Sequence, residues 1–266
     1  MKIYILTTPK IHEALHYAES KDKYNKLCNE SPANASAREG MNYTAASLNA
    51  VDINVLNNLF NQYVKLVPPR ILSDLDYVSI AMLMPSADNG FPHTRPDRLI
   101  CFPESGALPS LQTFIHELWH IHQRKYPDLW HRLYTTVWGF KEWRGEAELP
   151  MELMKQIRIN PDTLTYGLYC WKDEWVPLPI FTSPSRPRMN ECAVWFWNVR
   201  TKRWRQTPPE AWNAYFSSHL IPPSANEHPN ELSAYMLSTI GHDMRTPPAF
   251  AALVDAIGRT AFYIRS

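Results

Sequence analysis

Glycine is scarce in this chain: 8 Gly stand against 23 Pro among 266 residues. Glycine-rich links behave as flexible coils and proline stiffens a connection, so loosely tethered modules are not expected. A single unit over 1–266 is the expectation, at a length where one hydrophobic core approaches its limit. Cysteine is sparse as well. Cys28, Cys101, Cys170 and Cys192 include no CxxC pair, which speaks against a thiolate zinc site or a dense disulfide framework and fits a reducing compartment. An excess of one charge is also lacking, since 27 Lys and Arg face 26 Asp and Glu. Nothing in that balance marks nucleic acid or an anionic membrane as a partner. Long apolar runs are missing too. The stretch 1–6 is too short for a secretory h-region or a bilayer span and reads as a first strand. A cytoplasmic location is expected, with export by a non-classical route left open.

What is present is a mixture of helical and extended patterns with no internal repeat. Residues 20–48 are polar and punctuated by Asn29, Ser31, Pro32 and Asn34, which predicts an irregular surface region. Over 51–66, Val55, Leu56, Leu59, Phe60, Tyr63 and Val64 recur at three-to-four spacing, the mark of an amphipathic helix stopped by Pro68-Pro69. Two extended segments follow at 77–84 and 98–102, the second bounded by Pro96 and Pro103 and therefore expected at a sheet edge. Ser110 then precedes the stripe Leu111, Phe114, Ile115, Leu118 and Ile121, a capped helix closed by Tyr126-Pro127, with another helix at 128–138. Between 157 and 204 the texture changes to turn signals (Asn160-Pro161-Asp162, Pro177, Pro179) and β-rich runs such as 192–199, which predicts a β-rich insertion over 141–225. Helices return at 229–240, with Gly241 just past the end, and at 248–257 before Gly258. The cluster Arg200, Lys202, Arg203 and Arg205 around Trp204 reads as a solvated hairpin edge, with a phosphate-binding patch as the other reading. The 10 Trp and 13 Tyr read as core, or as the lining of an aromatic cleft.

The residues 116 to 120 read His-Glu-Leu-Trp-His, an HExxH string inside the capped helix. With 10 His and 15 Glu in the chain, this string arises by accident roughly 0.02 times before any demand for helical context. At 3.6 residues per turn, His116 and His120 lie on one face, where two imidazole nitrogens can reach one Zn²⁺ at about 2.0–2.1 Å. Glu117, one position round, can address a bound water as general base without being a ligand. The plain alternative is two histidines flanking a buried stripe. His122 and His131 point elsewhere and read as structural.

A catalytic zinc needs a third protein ligand and an open position. On its HExxH helix the chain resembles the zincin metallopeptidases. Gln123 and Tyr126 stand where the metzincin branch carries a Gly and a third His, so that branch does not fit. In the gluzincin branch the third ligand is a Glu on a later helix, commonly after Asn; His228-Pro229-Asn230-Glu231 offers this, so the resemblance implies Glu231 as the metal ligand. Glu146 and Glu148 lie closer in sequence and remain alternatives, though Gly145 and Pro150 disfavour a stable helix there. The segment 231–257 further resembles the C-terminal end of the anthrax lethal factor-like gluzincins, with Ser224 standing where that type carries a tyrosine.

The expectation is thus an α+β, zincin-like metallopeptidase fold, with a small sheet whose edge strand lies beside the HExxH helix and a β-rich insertion over 141–225. One catalytic Zn²⁺ is the cofactor and a peptide or protein the substrate; an edge strand at 98–102 reads either as a place for that substrate to add by backbone hydrogen bonds or as a covered edge that binds none. Tyr235, one turn past Glu231, and His242 are candidate donors to the oxyanion, each with a packing or ligand-supporting role as the alternative. Two other functions stay open: a non-catalytic zincin-fold binding module, and a zinc hydrolase acting on a non-peptide amide or ester.

Overall fold

The protein is described by a computed structural model covering residues 1–239 and 247–258. Strands β1 (Lys2–Ile5), β2 (Tyr77–Leu83), β3 (His93–Arg95) and β4 (Leu99–Pro103) form a first sheet in the order β1-β2-β4-β3. β1, β2 and β4 are parallel, and β3 is antiparallel to β4. The strings of β2 and β4 are near-continuous apolar runs because helices cover both sheet faces. On one face Phe60, from helix Ala50–Val64, and Phe114, from helix Leu111–Lys125, meet Val78, Ile80, Ile100 and Phe102. On the other, Ile11 of helix Thr8–Asp22 meets Ala81, Leu83, Leu99 and Cys101.

Two expectations need correction here. The strand at 98–102 is interior, not an edge: Pro96 lies before it and Pro103 closes it, so the ladder donors of Leu99 to Phe102 are intact, and the three-residue β3 takes the edge. The stretch 20–48, expected to be irregular, contains the end of helix Thr8–Asp22 and the short helices Tyr24–Glu30 and Pro32–Ala37. Each of the last two is only a turn or two long, too short for an apolar period to show.

The helix starts follow local chemistry. Asn49 caps Ala50–Val64 in a reciprocal capping box with Asp52, and the Ser110 hydroxyl accepts from the Thr113 backbone N–H at 3.0 Å. Helix Pro127–Thr136 follows directly on the HExxH helix. Then come β5 (Phe140–Trp143), β6 (Leu168–Trp171), β7 (Trp175–Phe181), β8 (Cys192–Asn198) and β9 (Arg203–Arg205), an antiparallel meander in sequence order. Strands β6 to β9 lie within 141–225, and β5 begins just before it at Phe140. Pro177 and Pro179, expected in turns, lie within β7. They are tolerated because β7 pairs along its length with β8 but meets β6 only at Trp171–Trp175. The segment 156–158 covers that open side: Phe181 N–H donates to Gln156 O at 2.9 Å and Arg158 N–H to Pro179 O at 2.7 Å.

Trp119, Trp130, Trp138, Trp171 and Trp212 are fully buried and knit the second sheet to the helices, so these aromatics serve the core. Trp204 on the exposed β9 stacks on Trp195, and the Arg203 and Arg205 beside it are solvated. All four cysteines are free, with Cys28, Cys101 and Cys170 buried. No helix among the described residues is long and apolar enough to cross a membrane.

Candidate metal centre

The HExxH helix is crossed by helix Pro229–Ser238, which Pro229 starts and His228 caps, its Nδ1 accepting from Asn230 N–H at 3.1 Å. The crossing brings His116, His120 and Glu231 together. The two histidine Nε2 atoms lie 2.9 Å apart, and Glu231 Oε2 is 3.5 Å from that of His116 and 3.6 Å from that of His120. Ligands about 2.0–2.1 Å from a tetrahedral zinc stand about 3.3–3.4 Å from one another, so the two distances to Glu231 suit such a set, and the histidine pair would open by about 0.4 Å to admit the ion. Among the described residues this is the one group of three His, Cys, Asp or Glu side chains close enough to hold a metal ion. Glu146 and Glu148 sit on a separate 3₁₀ turn, Glu148 exposed and paired with Lys202. His242 lies outside the described residues.

Supporting side chains fix these groups from behind. His120 Nδ1–H donates to Gln123 Oε1 at 2.8 Å, while Gln123 Nε2 donates to Asn230 O and Ser233 Oγ, each at 3.0 Å. This fixes the orientation of the His120 ring and turns its Nε2 toward the site. Asn160 Nδ2 donates to Glu231 Oε1 at 2.8 Å and to Glu227 Oε1 at 2.5 Å, so Glu231 is left with Oε2 facing the histidines. Arg158 Nη2 pairs with the other oxygen of Glu227 at 2.6 Å. The segment that carries Arg158 and Asn160 is tied down by Asn34, whose side chain bonds Ile157 O at 2.8 Å and Ile159 N–H at 2.9 Å. In the sequence Asn34, Asn160 and Asp162 read only as turn punctuation, and Gln123, Arg158 and Glu227 do not read as site residues. Gln123 was findable, because it lies one turn from His120 on the same helix face.

A cleft of about 580 Å³ opens over the cluster, lined among others by His116, Glu117, Glu231, Tyr235 and Ser224. Glu117 is 3% exposed and its Oε2 has no hydrogen-bond partner. Burial, reinforced by the Asp162 carboxylate, pushes its carboxyl well above the usual range. Burial acts the same way on Glu231, but protonated His120 and hydrogen bonds from both histidines outweigh it and hold that carboxyl well below the usual range. His116 is lowered by burial. His120 is raised to about 10, because Asp162 and Glu231 overcome the burial that opposes its charge.

Comparison with protein-family models, curated proteins and solved structures gives no match to this chain. The reading therefore rests on the arrangement itself. Of the five carboxylates lining the cleft, three have an arginine: Asp88 with Arg38 at 2.6 Å, Asp162 with Arg124 at 3.8 Å, and Glu227 with Arg158. Glu117 and Glu231 form no ion pair with a Lys or Arg among the described residues. A divalent cation bound here would take the place of the protons on these carboxylates and imidazoles, as buried charges are paired or coordinate metal. The Tyr235 ring lies over His116, with centroids 4.3 Å apart, and burial raises its hydroxyl pKa, so it stays a proton donor.

Proposed function

We propose that the protein is a zinc-dependent metallohydrolase of the zincin, gluzincin-like type, acting as a metallopeptidase. His116, His120 and Glu231 would hold one zinc ion, and the observation that carries the reading is the spacing of their three donor atoms beside an unpartnered, buried Glu117 carboxylate. When bound, the ion supplies Lewis acidity, lowering the pKa of a coordinated water toward 7 and polarising a carbonyl. Glu117 takes a proton from a water in the cleft at Oε2 and returns it to the leaving amine. The Tyr235 hydroxyl, on the cleft wall, donates to the oxygen on which charge develops. Gln123 and Asn160 orient the donors and need not move during turnover.

The test is Glu117→Gln. It should keep zinc at one per chain and lower turnover of a peptide library by at least about 10²-fold, since only the proton carrier is removed. A variant as active as the wild type would remove the catalytic reading. A non-peptide amide or ester as substrate is the second reading, favoured by what surrounds β3.

A further inference from the structure

β3 is the edge of its sheet beside the HExxH helix, the place where an extended chain would add by backbone hydrogen bonds. Only three residues long, it pairs His93 with Cys101, Thr94 with Ile100 and Arg95 with Leu99. Both backbone groups of its central residue are already engaged by side chains from outside the sheet. Thr94 N–H donates to Asp162 Oδ1 at 2.8 Å, and Thr94 O accepts from Arg124 Nη2 at 3.1 Å. Asp162 also accepts from the Thr94 hydroxyl, and Arg124 Nε donates to that hydroxyl at 3.1 Å.

This closure is built from the interior. Thr94 is fully buried and Asp162 is 5% exposed. The loop carrying Asp162 is held by Asp162 N–H to Asn160 Oδ1 at 2.9 Å, by Asn230 Nδ2 to Asp162 O at 3.4 Å, and by Arg124 to Pro161 O. An added strand would make two neutral backbone bonds with Thr94. It would first have to break bonds to charged groups, which are roughly twice as strong, and leave a buried carboxylate and guanidinium short of partners. Strand addition at Thr94 therefore loses.

We infer that the site takes a compact substrate, a short peptide or an amide of comparable size, and does not read the backbone of a long extended chain. The inference rests on the hydrolase reading of the same site. The cleft volume of about 580 Å³ lies within the range of small-molecule pockets, about 300–1,000 Å³.

The experiment is a length series on the zinc-loaded wild-type protein: an N-acetyl amino-acid amide, then peptides of two to ten residues sharing one cleavable bond. In parallel, binding of the same series to zinc-loaded Glu117→Gln is followed by calorimetry. The expected result is that kcat/KM and affinity level off by about four residues and change less than twofold from there to ten. A rise of tenfold or more between four and eight residues, in either readout, overturns the inference and leaves the hydrolase reading standing. Neither cleavage nor binding of any member removes the hydrolase reading, and this inference with it. The double variant Asp162→Ala, Arg124→Ala, which frees both Thr94 N–H and Thr94 O, should make the eight-residue member gain in binding over the four-residue member; no such gain would show that the edge is not what limits length.

Discussion

Gln123 and Asn160 act at one remove, each holding a donor by its far side. Partners of this kind typically change metal affinity by 10- to 100-fold when lost. Gln123→Leu, which releases His120 Nδ1, and Asn160→Ala, which frees Glu231 Oε1, should each weaken zinc by about that factor in a competition titration while leaving the fold intact. Removing a donor itself is more severe: His116→Ala, His120→Ala or Glu231→Ala should leave no stoichiometric zinc by elemental analysis. Tight one-to-one zinc in Glu231→Ala would return Glu146 and Glu148 to consideration. His116, Glu117 and His120 could be read from the string because they belong to one helix with a fixed period. Glu231 needed the likeness to a known family, since no local pattern reports a partner more than a hundred positions away. The supporting residues Asn160, Asp162 and Glu227 were not legible, because in isolation a turn Asn and a helix-end Glu have ordinary roles.

The helix that carries Glu231 depends on its cap. His228 Nδ1 accepts from Asn230 N–H while Nε2–H donates to Gly167 O at 3.3 Å, an arrangement only neutral imidazole can make. Burial accordingly depresses the His228 pKa to about 3, against an ordinary value of 6.5. Below about pH 6.5 the unfolded chain binds a proton that the folded chain refuses until about pH 3, so stability is present above that window and falls as the pH drops through it. In urea unfolding with chelator present, the loss between pH 7 and 4.5 should shrink in His228→Asn, where asparagine can cap without titrating. An equal loss in wild type and variant would refute this. Ser110→Ala should cost about 1 kcal/mol, seen in the same unfolding curves, because Thr113 N–H loses its acceptor. Both helix starts were visible in the residue types. β3 and the helices Tyr24–Glu30 and Pro32–Ala37 were not, being too short for a period and held by contacts distant in sequence, such as Asn34 with Ile157 and Ile159.

At the scale of the whole molecule, the site joins three parts of the chain: the HExxH helix, the segment leading off β7's open side, and the helix Pro229–Ser238. A ligand that binds only this assembled form should stabilise all of it, by about 2.7 kcal/mol at a hundredfold excess over Kd. For a chain of this size that raises Tm by about 5–10 °C. Scanning calorimetry with zinc and then with chelator should show the shift in wild type and none in His116→Ala. The α+β mixture and the β-rich stretch were legible from the changing texture of the sequence, whereas the sheet order was not, since it depends on pairings such as Ile3 with Val78. The free cysteines are placed to time the opening of each half. Cys101 lies buried in the first sheet and Cys170 buried in the second, and burial pushes the Cys170 thiol up to about 11, away from the reactive thiolate. Alkylation of the native protein is therefore gated by exposure, and mass spectrometry of which cysteine is labelled first would give the sequence in which the two sheets come apart.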